Sequence, residues 1–158
     1  MTTTTPTPGL TPFEEIRKLS GIEFLKAIQS GLLPPPPIAH TLGFTLAEVE
    51  EGRALFTGTP DFRLYNPIGS VHGGYIATLL DSAMSCAVQT LLPAGSGYTT
   101  VEIKVNFVRA VTEKTGPVRC ECKVINVGKR IGTSEGRLTD AEGRLLAHGT
   151  ATCLVMAL

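Results

Sequence analysis

Between Tyr75 and Leu91 the apolar residues Ile76, Leu79, Leu80, Ala83, Met84, Ala87, Val88 and Leu91 fall on one wide helical stripe, which Pro93 and Gly95 terminate. A helix with so broad an apolar face is built to be covered. After it the period drops from roughly 3.6 residues to 2. Val101, Ile103, Val105 and Phe107 alternate with Glu102, Lys104 and Asn106, and Val118, Cys120, Cys122 and Val124 alternate with Arg119, Glu121 and Lys123. Two more strand-like runs follow, Arg130 to Thr139 and Arg144 to Val155, separated by the turn residues Asp140-Ala141-Glu142-Gly143. Upstream of the helix, Phe44 to Glu50 and Arg53 to Thr57 read as strands joined by a tight turn at Glu51-Gly52. Strands, one long helix, then strands again predict an α+β domain with an antiparallel sheet curled over the helix.

The first third reads differently. Residues 1–10 are rich in Thr and Pro and are expected to be disordered. Phe13, Ile16, Leu19, Ile22, Leu25 and Ile28 then recur at helical spacing, with Thr11 as N-cap and Glu14 at the capping-box position; Gly21 is a point where this arm can split into two short helices. The arm ends at Gly31, and Pro34-Pro35-Pro36-Pro37 predicts an extended linker. The expected organisation is a tail, helical arm and Pro-rich linker over 1–37 and a folded domain over 38–158.

Composition narrows the function classes. Fourteen basic and fourteen acidic residues leave the 158-residue chain with zero formal charge, and no Lys/Arg run is present, so neither nucleic acid nor a membrane surface is an expected partner. The N-terminus lacks the charged and apolar regions of a signal peptide, and no apolar run approaches the ~20 residues of a membrane span. A soluble, cytoplasmic protein is expected. The four cysteines, Cys86, Cys120, Cys122 and Cys153, have no zinc spacing and read as small buried hydrophobes. His40 and His148 read as structural.

Chemistry enters at Asn66-Pro67-Ile68-Gly69-Ser70-Val71-His72-Gly73-Gly74, which runs directly into the long helix. The first N–H groups of a helix have no intrahelical partners and stand at the positive end of its dipole, so they can hold an oxyanion. Glycines there let a carbonyl approach the backbone. The competing reading is that His72 merely caps the helix. Further along, Asp81 lies about 110° from the middle of the apolar stripe, on the border between buried and polar faces beside Ser85, a position that suits a nucleophile or a general base for water. Eight positions separate Gly73 from Asp81, about 12 Å along the helix, too far for both to touch one carbonyl. If they cooperate, the donors of one subunit meet the acid of another about a two-fold axis.

Asn66, His72-Gly73-Gly74, the Leu-Leu-Asp-Ser-Ala context of Asp81 and the strand Val-Asn-Phe-Val-Arg-Ala together resemble the hotdog-fold thioesterases of the 4-hydroxybenzoyl-CoA thioesterase superfamily, and within it the phenylacetic-acid-degradation (PaaI-type) group. The resemblance covers about residues 40 to 156. It implies a sheet wrapped around a long central helix, hydrolysis of an acyl-CoA with no metal and no organic cofactor, and a homodimer at least, extending to a homotetramer. It further implies that Asp81 is nucleophile or general base, that the Gly73 N–H polarises the thioester carbonyl, and that His72 and Asn66 position thioester or water, with Gly74 and Ser85 at the substrate. The family's water-orienting hydroxyl falls on Thr99 or Thr100; Thr99 shares the phase of Val101 and Ile103 and is preferred. Lys129 and Arg130, after Gly128, are the candidates for the CoA phosphates. Two other readings compete. A hotdog hydratase is disfavoured, because Leu64 and Gly69 stand where that group's run has Asp and His. A non-catalytic acyl-CoA-binding or sensing module would have no need of Asp81.

Overall fold

The computed structural model describes residues 7–158. Its framework is one six-stranded, fully antiparallel sheet in the order β1-β2-β4-β5-β6-β3. The strands are β1 (Phe44–Glu50), β2 (Arg53–Gly58), β3 (Ser96–Phe107), β4 (Val118–Val127), β5 (Ile131–Thr139) and β6 (Leu145–Ala157). The long helix, α4 (Gly73–Gln89), lies in the concave face and touches every strand. This is the hotdog arrangement, and its reason is visible in the burial. Leu79, Leu80, Ala83, Met84, Ala87 and Val88 on the predicted stripe are fully buried, each large side chain contributing about 1.5–3 kcal/mol.

Close wrapping depends on inward-facing glycines. A Cβ at Gly132 would meet Val88, one at Gly136 would meet Cys122 Sγ and Met84, and one at Gly149 would meet the Lys104 carbonyl and, at 3.6 Å, Met84. The sheet can therefore lie close against the helix along β5. Cys120 and Cys122 share the inner face as expected, with sulfurs 3.9 Å apart, and all four cysteines are free thiols.

The N-terminal arm departs from the expected pattern. It forms α1 (Phe13–Ile16) and α2 (Gly21–Gln29); α1 ends at the Arg17 cap, and Ser20, in extended backbone, caps the start of α2 at Gly21. Thr11 is not a cap: Pro12 holds the N-cap position of α1 with no side-chain hydrogen bond. The capping box belongs to α2, where Ser20 Oγ accepts from Glu23 N and Glu23 Oε2 accepts from Ser20 N at 2.8 Å. The arm then docks on the domain. Gly21 N donates to the Leu92 carbonyl at 2.9 Å, and Gln29 Nε2 donates to the Ala47 carbonyl at a bulge of β1. The proline run is only partly extended, because Pro37 opens α3 (Pro37–Leu42) from the first helical position, where the missing N–H costs nothing. Residues 1–6, most of the segment expected to be disordered, lie outside the described residues; residues 7–10 form no regular element, and Gly9 N donates to the Pro35 carbonyl.

The β5–β6 turn carries a buried acid. Asp140, 1% exposed, accepts from Glu142 N, Arg144 N and Arg144 Nε, the last at 2.6 Å. Burial alone would raise its carboxyl, but the bonds from Arg144 outweigh that and hold it below the usual range. A carboxyl lower in the folded than in the unfolded chain contributes stability above the unfolded value, about pH 4, and that contribution is lost as pH falls through the folded value. Melting temperature should accordingly drop more steeply below about pH 4 in the wild type than in Asp140→Asn, which starts lower at neutral pH; parallel curves would show that this turn does not titrate with folding.

No helix among the described residues is long and apolar enough to cross a membrane.

Candidate active site

The segment leading into α4 is held by its own hydrogen bonds. Asn66 N donates to the Ser70 carbonyl at 2.7 Å, Asn66 Oδ1 accepts from the Ile68 and Ser70 N–H groups, and Asn66 Nδ2 donates to Ser70 Oγ at 3.0 Å. Gly69 adopts φ 89°, which closes the loop and favours glycine. Val71 N then donates to the Val111 carbonyl and His72 N to the Leu64 carbonyl, so the helix start is anchored from both sides. Asn66 thus shapes the loop, with one amide proton left over.

His72 is the N-cap, and its Nδ1 accepts from Gly74 N at 2.7 Å. His72 therefore does cap the helix, with its other ring nitrogen left for a second partner. That bond puts the neutral ring's proton on Nε2, pointing away from the helix. It also engages the Gly74 N–H at the helix start. Gly73 N, at the first helical position, bonds to no group among the described residues. A Cβ on Gly73 would stand 3.0 Å from Phe107 Cζ, so glycine keeps that approach open. A cavity of about 290 Å³ opens here, lined by Asn66, Ser70, Gly73, Ile76, Phe107 and Arg109 among others.

Asp81 faces a different cavity. About 350 Å³ in volume, it is bordered by Asp81, Ser82, Ser85, Cys86 and the β3 residues Tyr98, Thr99 and Thr100, with Phe44 and Phe56 in contact edge to face and Pro36 at its exposed rim. Asp81 Oδ1 is buried there and has no hydrogen-bond partner among the described residues. Ser85, 4% exposed, donates to the Asp81 main-chain carbonyl at 2.7 Å. The chain therefore brings Asp81 and Ser85 together and keeps both apart from Gly73, His72 and Asn66, as the helical spacing requires.

The phase argument for Thr99 is overturned. β3 carries a bulge at Val101, between the pairs Thr100↔Cys153 and Glu102↔Thr152. An extra residue shifts the alternation by one, so Thr100, opposite the buried Cys153, is in phase with Ile103 and Val105. Thr99, opposite Leu154, points to the other face, although part of it still borders the cavity. Lys129 and Arg130 are exposed in the β4–β5 turn, beside the row Ile131–Leu154–Thr99, at the Asp81 end of the sheet.

Tyr98, Cys86, Phe44 and Phe56 were missed by sequence reasoning. Tyr98 is two residues before Thr100 on the same face, which the alternation would have revealed had the bulge been visible. Burial pushes the Cys86 thiol up to about 12, so it is not ionised at neutral pH. Among the described residues no three His, Cys, Asp or Glu side chains gather as a metal site. A further depression of about 420 Å³, lined by Lys123, Glu135, Arg137 and His148, lies on the outer face of the sheet and contains none of the candidate residues.

Comparison with known proteins agrees with this geometry. A family model described as the thioesterase superfamily matches residues 68–147. A protein of Saccharolobus solfataricus named as an esterase is 31% identical over 78% of this chain and 81% of its own. The 1,4-dihydroxy-2-naphthoyl-CoA hydrolase of Listeria monocytogenes is 25% identical over 75% and 94%. Among solved structures, a phenylacetic acid degradation-related protein from Ralstonia eutropha superposes with a TM-score of 0.75 at 26% identity, covering 83% of this chain and 98% of that one. With an antiparallel sheet around a long central helix and a family match that spans both Gly73 and Asp81, this chain belongs to the thioesterase superfamily and is a thioester hydrolase of the hotdog fold.

Proposed function

We propose that the protein hydrolyses an acyl-CoA to a carboxylic acid and free CoA, as a PaaI-type thioesterase whose active site is shared between two subunits. The observation that carries this reading is the buried Asp81 Oδ1, unpartnered among the described residues, since a carboxylate oxygen is desolvated without compensation only at a cost that function must offset. The Gly73 N–H of one subunit receives the thioester oxygen as it becomes negative. Asp81 of the other either takes the proton of the attacking water or attacks the carbonyl itself, forming an anhydride that water then opens. In both routes the carbonyl keeps the new oxygen, and CoA leaves as the thiolate and is protonated.

Support for the shared site comes from β3. It is an edge strand of twelve residues. Val101, Ile103 and Phe107 on it are 56%, 37% and 57% exposed, an apolar row that one subunit leaves open. Pairing this edge with its copy about a two-fold axis covers the row and carries each Gly73 toward the other Asp81. A homodimer is then the smallest active form, and a homotetramer preserves its sites. His72 Nε2–H and the spare Asn66 amide proton position the thioester, Ser85 and Thr100 border the acid, and Lys129 and Arg130 attract the CoA phosphates. Residues 38–158 form the catalytic unit and 1–37 its docked arm. Four free thiols suit the reducing cytoplasm.

Thiol release from short-chain, aromatic and long-chain acyl-CoAs, read with a thiol reagent, tests the proposal. At least one substrate should turn over, and sedimentation should show a dimer or larger species. Tight binding without turnover across the panel would instead identify a binding or sensing module.

A further inference from the structure

Ser85 stands one helical turn beyond Asp81, the spacing at which a serine hydroxyl readily reaches a carboxylate. It does not do so here. Its proton is given to main-chain carbonyls, Asp81 O at 2.7 Å and Ser82 O at 3.3 Å. A hydroxyl has one proton, so Ser85 has none left for the Asp81 side chain. What keeps the hydroxyl in that orientation comes from another element. Tyr98, on β3, donates its phenol proton to Ser85 Oγ at 3.1 Å and so occupies a lone pair of Ser85. Tyr98 borders the same cavity as Asp81. Its burial raises the phenol well above the ordinary value, so it remains a donor at any working pH. The chain Tyr98 to Ser85 to the Asp81 backbone ties the edge strand to the Asp81 turn and leaves Asp81 Oδ1 without a partner among the described residues.

We infer that Tyr98 is a positioning residue for Asp81: acting through Ser85, it holds the serine proton on the helix backbone and keeps the carboxylate free for the reacting water or acyl carbon. The inference rests on the catalytic assignment of Asp81 proposed above. It predicts a loss in kcat with little change in KM, because neither hydroxyl needs to touch the CoA.

The test compares Tyr98→Phe, Ser85→Ala, the double variant and Asp81→Asn in the thiol-release assay, with melting temperature measured on each. Tyr98→Phe keeps the ring and removes only the donor. Its kcat should fall about 10- to 100-fold, as expected for a misplaced catalytic group, with KM within about twofold. Adding Tyr98→Phe to Ser85→Ala should leave kcat where Ser85→Ala alone puts it, because the hydroxyl that Tyr98 restrains is already gone. Wild-type kcat in Tyr98→Phe, or effects that multiply in the double variant, would overturn the inference. Should Tyr98→Phe melt far below the wild type, the double variant and Ser85→Ala are compared at a temperature where both are folded, and a double variant slower than Ser85→Ala overturns the inference. Loss of rate in Asp81→Asn beside an unaffected Tyr98→Phe defeats only the positioning role. Unchanged rate in Asp81→Asn defeats the catalytic assignment and the inference with it.

Discussion

Asp81→Asn should lower thiol release from acyl-CoA by about 10²- to 10⁴-fold, the range spanned by loss of a positioned general base. Asparagine matches aspartate in shape, so the contacts of α4 with the sheet survive. It carries no charge, accepts no proton at neutral pH and is no nucleophile. KM should change little, because the candidate CoA contacts lie in the β4–β5 turn and at the other subunit's helix entrance. The same variant should fold at least as stably as the wild type. Asp81 Oδ1 is buried without a partner among the described residues, an arrangement that opposes folding, and a neutral amide is less costly to bury than a carboxylate. A rate within about threefold of wild type would remove Asp81 from the chemistry. A marked fall in melting temperature together with the rate would show instead that the carboxylate serves the fold.

Gly73→Pro should cost about 10²- to 10³-fold in kcat, the usual effect of removing one oxyanion donor. Proline is the informative substitution because Gly73 is the first residue of α4, where a helix tolerates proline and its N–H has no helical partner. The preceding His72 is already extended, at φ −61° and ψ 136°, as a residue before proline must be. Gly73→Ala is the control. It adds the same Cβ, 3.0 Å from the Phe107 ring, and keeps the N–H. If the donor matters, proline is much slower than alanine; equal rates would reduce the effect to crowding against Phe107. Mixing the Asp81→Asn and Gly73→Pro proteins under subunit exchange tests the shared site. Each mixed dimer then has one intact site and one doubly defective one. With half of the dimers mixed, activity should recover to about a quarter of wild type. Recovery confined to the residual rate of the two variants would place donor and acid in the same subunit.

Much of this site was legible in the chain because it rests on local geometry. A glycine pair after a histidine at a helix start, and an acid at the edge of the apolar stripe, follow from sequence spacing. The spacing alone also separated Gly73 from Asp81 by about 12 Å, and the two line different cavities. The hairpin turn at Gly52, the termination of the long helix and the four later strands followed from periodicity and turn residues in the same way. Thr11 failed as a cap for a local reason that propensity did not weigh: Pro12 took the N-cap position, and Ser20 with Glu23 made a complete capping box one helix later.

By itself, then, the sequence determined the strands and the long helix of the domain, which face of α4 is buried, and that the candidate donor and acid stand about 12 Å apart along it, since each of these depends on repeats of a few residues. Only the tertiary structure decided which hydroxyl accompanies the acid. The bulge at Val101, where β3 pairs with β6, moved Thr100 into the phase that simple alternation assigned to Thr99. The bond from Tyr98 to Ser85, thirteen residues away on another element, and the Phe44–Phe56 floor beside Asp81 arise from how strands meet across space. A period read along the chain cannot contain them, because they depend on the register between segments that only the packed sheet sets.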